Sequence, residues 1–286
     1  MFSRCCSILL VLLVLPGILL AQAPGLPLFS PTPSTPQRFF VEGDEEWASV
    51  KFQGNSNADY DRTFIPSLSA GWKLAEEQIF YANYRFLGAD VEDRFNVGVP
   101  DLESSLKQRI RLNSFDIMYR ETLGGDRMPL GLSVDMGTRF AWAYMNDWRE
   151  QLTIAGSTMD HRQLNFYVGG GRFGLRPYWM FDESSWQMTI YGQASFSYLW
   201  GQFREEGRFH PQTVDQPNID RKSWNTLWNL DLEAGLSSYV PGFEGILKLT
   251  AGYRYEMWSS DRFRFLGEGA DKLTVQGPFI RLQFSF

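Results

Sequence analysis

The chain has 286 residues, a formal net charge of −6, 16% aromatic residues, 10 Trp and 26 Gly. A mean hydropathy below zero excludes a bundle of apolar membrane helices, and without a basic balance nucleic acid is not expected as a partner. Cys5 and Cys6 are the sole cysteines and fall in a segment read below as removed, so the mature chain is expected to have no disulfide, thiolate metal site or Cys nucleophile.

Residues 1–23 read as a secretory signal. Arg4 precedes an unbroken apolar run from Ile8 to Leu15, and Ala21-Gln22-Ala23 offers small residues for cleavage after Ala21 or after Ala23. The run is too short for a membrane anchor, and Pro16-Gly17 interrupts it. Residues 24–40 carry Pro24, Pro27, Pro31, Pro33 and Pro36 and read as an extended periplasmic tether. One all-β domain is expected over 41–286.

Within that domain apolar and polar residues alternate with period 2, the pattern of strands with one apolar face. Leu68, Ala70, Trp72 and Leu74 oppose Ser67, Ser69, Gly71 and Lys73; Phe80, Ala82, Tyr84 and Phe86 oppose Tyr81, Asn83 and Arg85. Leu130 to Trp142 opposes Ser133, Asp135, Gly137 and Arg139; Trp224 to Leu236 opposes Asn225, Asn229, Asp231 and Glu233; Leu247 to Tyr255 opposes Lys248, Thr250, Arg254 and Glu256. The stretch Ser184–Phe203 has no charge, yet it is no membrane helix. Met188, Ile190, Ala194, Phe196, Tyr198 and Trp200 share one parity, while Gln187, Thr189, Gln193, Ser195 and Ser197 share the other, and a helix would turn those polar groups into lipid on every side.

Ten strands are expected, near 47–53, 63–74, 78–87, 107–121, 130–143, 161–181, 186–203, 223–239, 246–258 and 272–286, with room for twelve if a hairpin hides in 161–181 or in a long loop. Short links alternate with long polar ones (54–62, 88–106, 145–160, 204–222 and 259–271). This is the rhythm of an antiparallel transmembrane β-barrel of an outer membrane, and an even strand number puts both termini on one side. The last strand ends Leu282-Gln283-Phe284-Ser285-Phe286. Its terminal Phe resembles the ending that barrel-assembly machinery reads, which makes Phe286, Phe284 and Leu282 an expected assembly signal. In the sixth strand, Leu164, Phe166 and Val168 are even, but Phe173, Leu175 and Trp179, after Gly169-Gly170-Gly171, are odd. A glycine bulge is the expected cause of the phase slip.

Side chains on the polar parity are expected to line the lumen: Lys73, Arg85, Asp116, Asp135, Arg139, Arg172, Arg176, Gln193, Asp231, Glu233, Lys248, Arg254, Glu256 and Arg281. With Lys51 and Arg120 they give ten positive against five negative groups, hence a mildly anion-preferring bore if it conducts. The bland alternative is a bore filled by ion pairs such as Asp135–Arg139 and Arg254–Glu256. The two histidines weigh against catalysis. Asp160 and His161 are adjacent in a strand and so face opposite ways, and His210 stands in a polar loop. The chain is expected to be no enzyme, and to have no cofactor and no metal.

The sequence Phe166-Tyr167-Val168-Gly169-Gly170-Gly171-Arg172-Phe173-Gly174-Leu175, followed by Trp179 and Ile190 to Gly201, resembles the central signature of pore-forming outer-membrane proteins of the Legionella major outer-membrane protein type. Phe115-Asp116, Gly137 to Ala141, Leu249 to Tyr253 and the ending at Phe286 fit in order, while the absence of mature cysteines departs from that family's disulfide-linked assembly. The resemblance implies a porin-like channel for passive diffusion of small hydrophilic solutes, set in outer-membrane lipid. The alternatives are a non-conducting structural or adhesive surface barrel and, third, an outer-membrane enzyme.

Overall fold

The computed structural model describes residues 39–53, 59–75, 77–96, 103–123, 129–153, 156–183, 186–210, 218–240, 247–266 and 271–286. The signal segment and the tether up to residue 38 lie outside them. Ten antiparallel strands close into one barrel: β1 (Phe39–Gln53), β2 (Asp59–Ala75), β3 (Gln78–Asn96), β4 (Glu103–Leu123), β5 (Leu130–Thr153), β6 (Gly156–Glu183), β7 (Trp186–His210), β8 (Ile219–Tyr239), β9 (Leu247–Ser259) and β10 (Lys272–Ser285). Each strand pairs with its sequence neighbours, and β1 closes on β10 from Phe40↔Ser285 to Gln53↔Lys272. Closure leaves no sheet edge through the wall. At the seam the Phe286 N–H donates to the Phe39 carbonyl at 2.8 Å, the Phe39 N–H donates back at 3.3 Å, and the two rings stack at 6.4 Å.

Parity sets the two faces as the alternation predicts. Trp72, Phe140, Phe196, Tyr198, Trp200, Trp224, Leu232 and Tyr253 point outward and are exposed, Tyr167 to 67%. Arg254, Glu233, Ser197 and Thr250 point inward and are buried. An apolar belt of this kind is unfavourable in water, whereas a lipid surround satisfies it. Glu45, half-buried, stands on the outward parity two residues before Trp47.

Several expectations are corrected. The tether stops short of residue 40, because β1 begins at Phe39 instead of near 47. Much of the expected long loops is strand: β3 runs on to Asn96, β5 to Thr153 and β7 to His210. Crossing a bilayer takes about 9–11 residues of tilted strand, and the 28 residues of β6 far exceed that. The extensions stand clear of the belt, where both faces are polar and alternation no longer marks a strand. Lys51 is exposed on the outer side of β1, while its neighbour Val50 is buried.

The bulge expected in β6 is absent. Pairing with β5 runs without a shift from Leu130↔Trp179 to Thr153↔Gly156, and the β7 register is the same on both sides of the glycines. Even residues of β6 face inward throughout. Leu164, Phe166 and Val168 are apolar because the bore itself is apolar at that height.

Candidate functional site: the barrel interior

The interior has two layers. In the half nearer the termini, arginines form chords across the bore. Arg139 on β5 holds Asp116 on β4 through Nε (2.6 Å) and Nη2 (2.8 Å), and reaches across to Asn229 and to Glu256 at 3.5 Å. Arg172 on β6 bridges Asp116 and Asp231, each at 2.9 Å, and so spans β4 to β8. Arg85 on β3 reaches Glu46 on β1 at 2.6 Å and also Glu256 on β9. Arg254 binds Glu233 (2.6 Å), Asp44 (3.1 Å) and Glu46 (3.3 Å), and Arg281 binds Glu233 (3.0 Å), Asp44 (3.1 Å) and Glu42 (3.2 Å). Arg120 pairs with Asp135 at 2.6 Å, and the Tyr191 hydroxyl donates to Glu233 at 2.5 Å. Rings complete the packing, with Arg254 and Arg281 over Phe279 and Arg176 over Tyr191.

The inward set expected from parity is therefore brought together with Lys73, Gln193 and Lys248 half-exposed at its margin, but its pairing and charge are corrected. Asp135 pairs with Arg120 of the adjacent strand instead of Arg139, and Glu256 with Arg85 across the bore instead of Arg254. The expected ten-to-five excess of cations is not present. Lys51 leaves the set, while Glu42, Asp44 and Glu46 of β1 join it, so the two signs nearly balance. Alternation did not disclose those three, because Glu45 on the opposite parity makes Glu42–Glu46 read as a solvated acidic run.

Above this layer the bore is filled by apolar side chains, among them Val50, Ile65, Ile110, Met145, Leu164, Leu199, Leu227 and Trp258. Arg139 lies over the Trp258 ring at 5.4 Å where the layers meet. A short 3₁₀ helix, Asp261–Phe265, folds into the mouth and buries Phe263 against Phe166 at 6.2 Å, itself 5.4 Å from Phe203. Ser260 caps this mouth helix and donates to the Thr226 carbonyl at 2.9 Å. Arg149 and Arg162 donate to the carbonyls of Leu266 (3.1 Å) and Phe265 (3.2 Å), and Arg262 pairs with Glu205 at 3.3 Å. Burial pushes the Asp147 carboxyl up from its ordinary range, against the hydrogen bond from Arg149.

The wall of an open channel is touched by a water-sized sphere. Here Arg139, Asp116 and Glu256 are 2% exposed, and Glu46, Ser197 and Asn229 are 0% exposed, on six different strands around the bore. Such burial leaves no water-accessible wall at these positions among the described residues.

Neither histidine is part of the interior. His161 points out of β6 and stacks on Trp148 of β5 at 4.7 Å and 5°, while Asp160 points in and binds Arg162 at 2.8 Å. Burial, with Arg208 beside it, lowers the His161 pKa below its usual value. His210 lies at the end of β7, in register with Met159, and not in the expected loop. Among the described residues neither is hydrogen-bonded to a carboxylate, the arrangement that orients a catalytic base.

No family model matches the chain, and no curated protein does. Among solved structures it is similar to the outer membrane protease OmpT from Escherichia coli, with 11% identity over 88% of this chain and 98% of that one and a TM-score of 0.52. Looser likenesses are Neisserial surface protein A (14% identity, 87% and 97% covered, TM-score 0.36) and a major outer membrane protein from Thermus thermophilus (13%, 86% and 99%, 0.35). At 11% identity the first shows a shared barrel fold.

Proposed function

We propose that this chain is a bacterial outer-membrane barrel that carries a tall β-wall at the cell surface and is closed to solutes. The observation that carries the reading is the bore: guanidinium chords from β3, β5 and β6 reach carboxylates on β1, β4, β8 and β9, under an apolar layer sealed by Phe263. Two things support the location, namely the exposed apolar belt and the barrel fold shared with an outer-membrane protein. The surface role draws on β5, β6 and β7, whose 24, 28 and 25 residues rise well above the belt. A porin, the activity implied by the family resemblance, needs an open bore.

Conductance separates the two. The full chain, reconstituted into planar bilayers, is expected to insert and give a sealed baseline. Steady single-channel steps in unmodified protein would overturn the closed-barrel reading and restore the porin.

A further inference from the structure

The outer wall of β7 and β8 changes character with height. Low on it, Phe196 lies 6.5 Å from Trp228 and Trp200 stacks on Trp224 at 4.3 Å, all facing out within the belt. Next up, Arg204 stands opposite Lys222 and between the carboxylates of Glu206 (2.9 Å) and Asp220 (3.1 Å). Higher still is exposed Arg208, which no carboxylate among the described residues pairs with. It lines an open depression of about 400 Å³ with Trp148, His161 and His210, and it also lines the adjoining one of about 240 Å³. Register continues this level sideways through His161 and Trp148 to Lys107 on β4. One register step lower on that wall, Asn146 is 2% exposed and neither atom of its amide has a hydrogen-bond partner, a deficit that native interiors rarely leave.

We propose that this wall binds the phosphorylated head group of an outer-leaflet glycolipid, with the acyl chains lying along the Trp200–Trp224 and Phe196–Trp228 pairs. The inference rests on the outer-membrane reading above. The Arg208 guanidinium, with no carboxylate partner among the described residues, stands beside two imidazoles, and these are donors suited to phosphate oxygens. The track is apolar below and cationic above, and it is continuous with the lipid-facing belt. An amphiphile with an anionic head matches it end to end, whereas a free anion would use its upper part alone. The carboxylates of Glu206 and Asp220 are offset one for one by Arg204 and Lys222, which leaves the charge of Arg208 unopposed.

The test is native mass spectrometry of the folded full chain in detergent, wild type against Arg208→Gln/Lys222→Gln. The probes are lipid A carrying its phosphates, the same lipid dephosphorylated, and inorganic phosphate. Wild type is expected to retain the phosphorylated lipid about tenfold better than the double variant and better than it retains the dephosphorylated one. Equal retention across proteins or across lipids overturns the proposal, and so does binding of inorganic phosphate without the lipid. Folding is scored by heat-modifiable gel mobility, and if the double variant fails it, Arg208→Gln, which removes no ion pair, takes its place. Cell fractionation reads the location separately. A chain found outside the outer membrane with lipid retention intact overturns the location reading and not the binding site.

Discussion

Asp116 accepts from two guanidinium groups, and removing its charge leaves both under-paired. Asp116→Asn leaves Arg139 and Arg172 buried with incomplete pairing, and breaking one side of such a cluster costs about 3–5 kcal/mol. The urea midpoint of the folded barrel should drop accordingly, and Asp116→Asn/Arg139→Met should recover part of the loss, since the second change removes one under-paired cation while Glu256 keeps Arg85. An Asp116→Asn barrel as stable as wild type would mean that these chords carry no weight. His161 makes a second prediction at this scale. Burial and Arg208 hold its folded pKa below the ordinary 6.5, so the neutral ring contributes stability that is present above the unfolded value and lost as pH falls through the folded one. NMR titration should place the midpoint below 6.5, and Arg208→Gln should move it upward. Except in the first half of β6, the sequence disclosed that the residues of β2 to β10 assigned to the lumen face inward, because parity is a local property. It did not disclose who pairs with whom, since the partners of Arg85 lie 39 and 171 residues away.

Strand existence followed from alternation wherever one face meets a belt and the other a polar bore, as in β2, β7, β8 and β9. It became illegible where the contrast vanishes: in the polar extensions of β3, β5 and β7, in acidic β1, and in β6, whose inward side turns from Arg172 to Phe166 with no change of register. Inward glycines on β6 are needed for close approach. A Cβ on Gly170 would sit 3.0 Å from Leu199 Cα and against the Tyr198 carbonyl, whereas one on outward Gly171 meets nothing within 4 Å. Gly170→Val should therefore sharply reduce folded barrel on heat-modifiability gels while Gly171→Val leaves it near wild type. Equal tolerance at the two positions would contradict the continuous register. At the seam, Phe286→Ser removes the ring stacked on Phe39 and the proposed recognition residue together, so assembled protein in outer-membrane fractions should fall further than for an exposed substitution such as Asp261→Ser.

On the closed-barrel reading the molecule as a whole sets two barriers in series, and they fail in different ways. The apolar layer depends on Phe263, held by hydrogen bonds from Arg149 and Arg162 to carbonyls of the mouth segment, while the ionic layer depends on side chains of the wall itself. Replacing Asp261–Phe265 by a Gly-Ser segment should widen the mouth and still give no conductance, because the chords below remain. Arg85→Ala/Arg139→Ala alone should also stay closed, since the apolar fill above excludes ions. Both changes together should conduct. The sign then follows from what remains: Glu46, Asp116 and Glu256 each lose an arginine partner, and the nearly balanced interior becomes net negative. Wall charges set the field in a narrow bore, with more distant loop charges screened beyond a Debye length of about 8 Å. The combined variant should accordingly prefer cations, read as reversal potential across a planar bilayer under a salt gradient, the opposite of the anion preference expected from sequence. Conductance from the mouth replacement alone would show that the arginine chords do not span the bore, and anion selectivity in the combined variant would show that the β1 carboxylates do not face it.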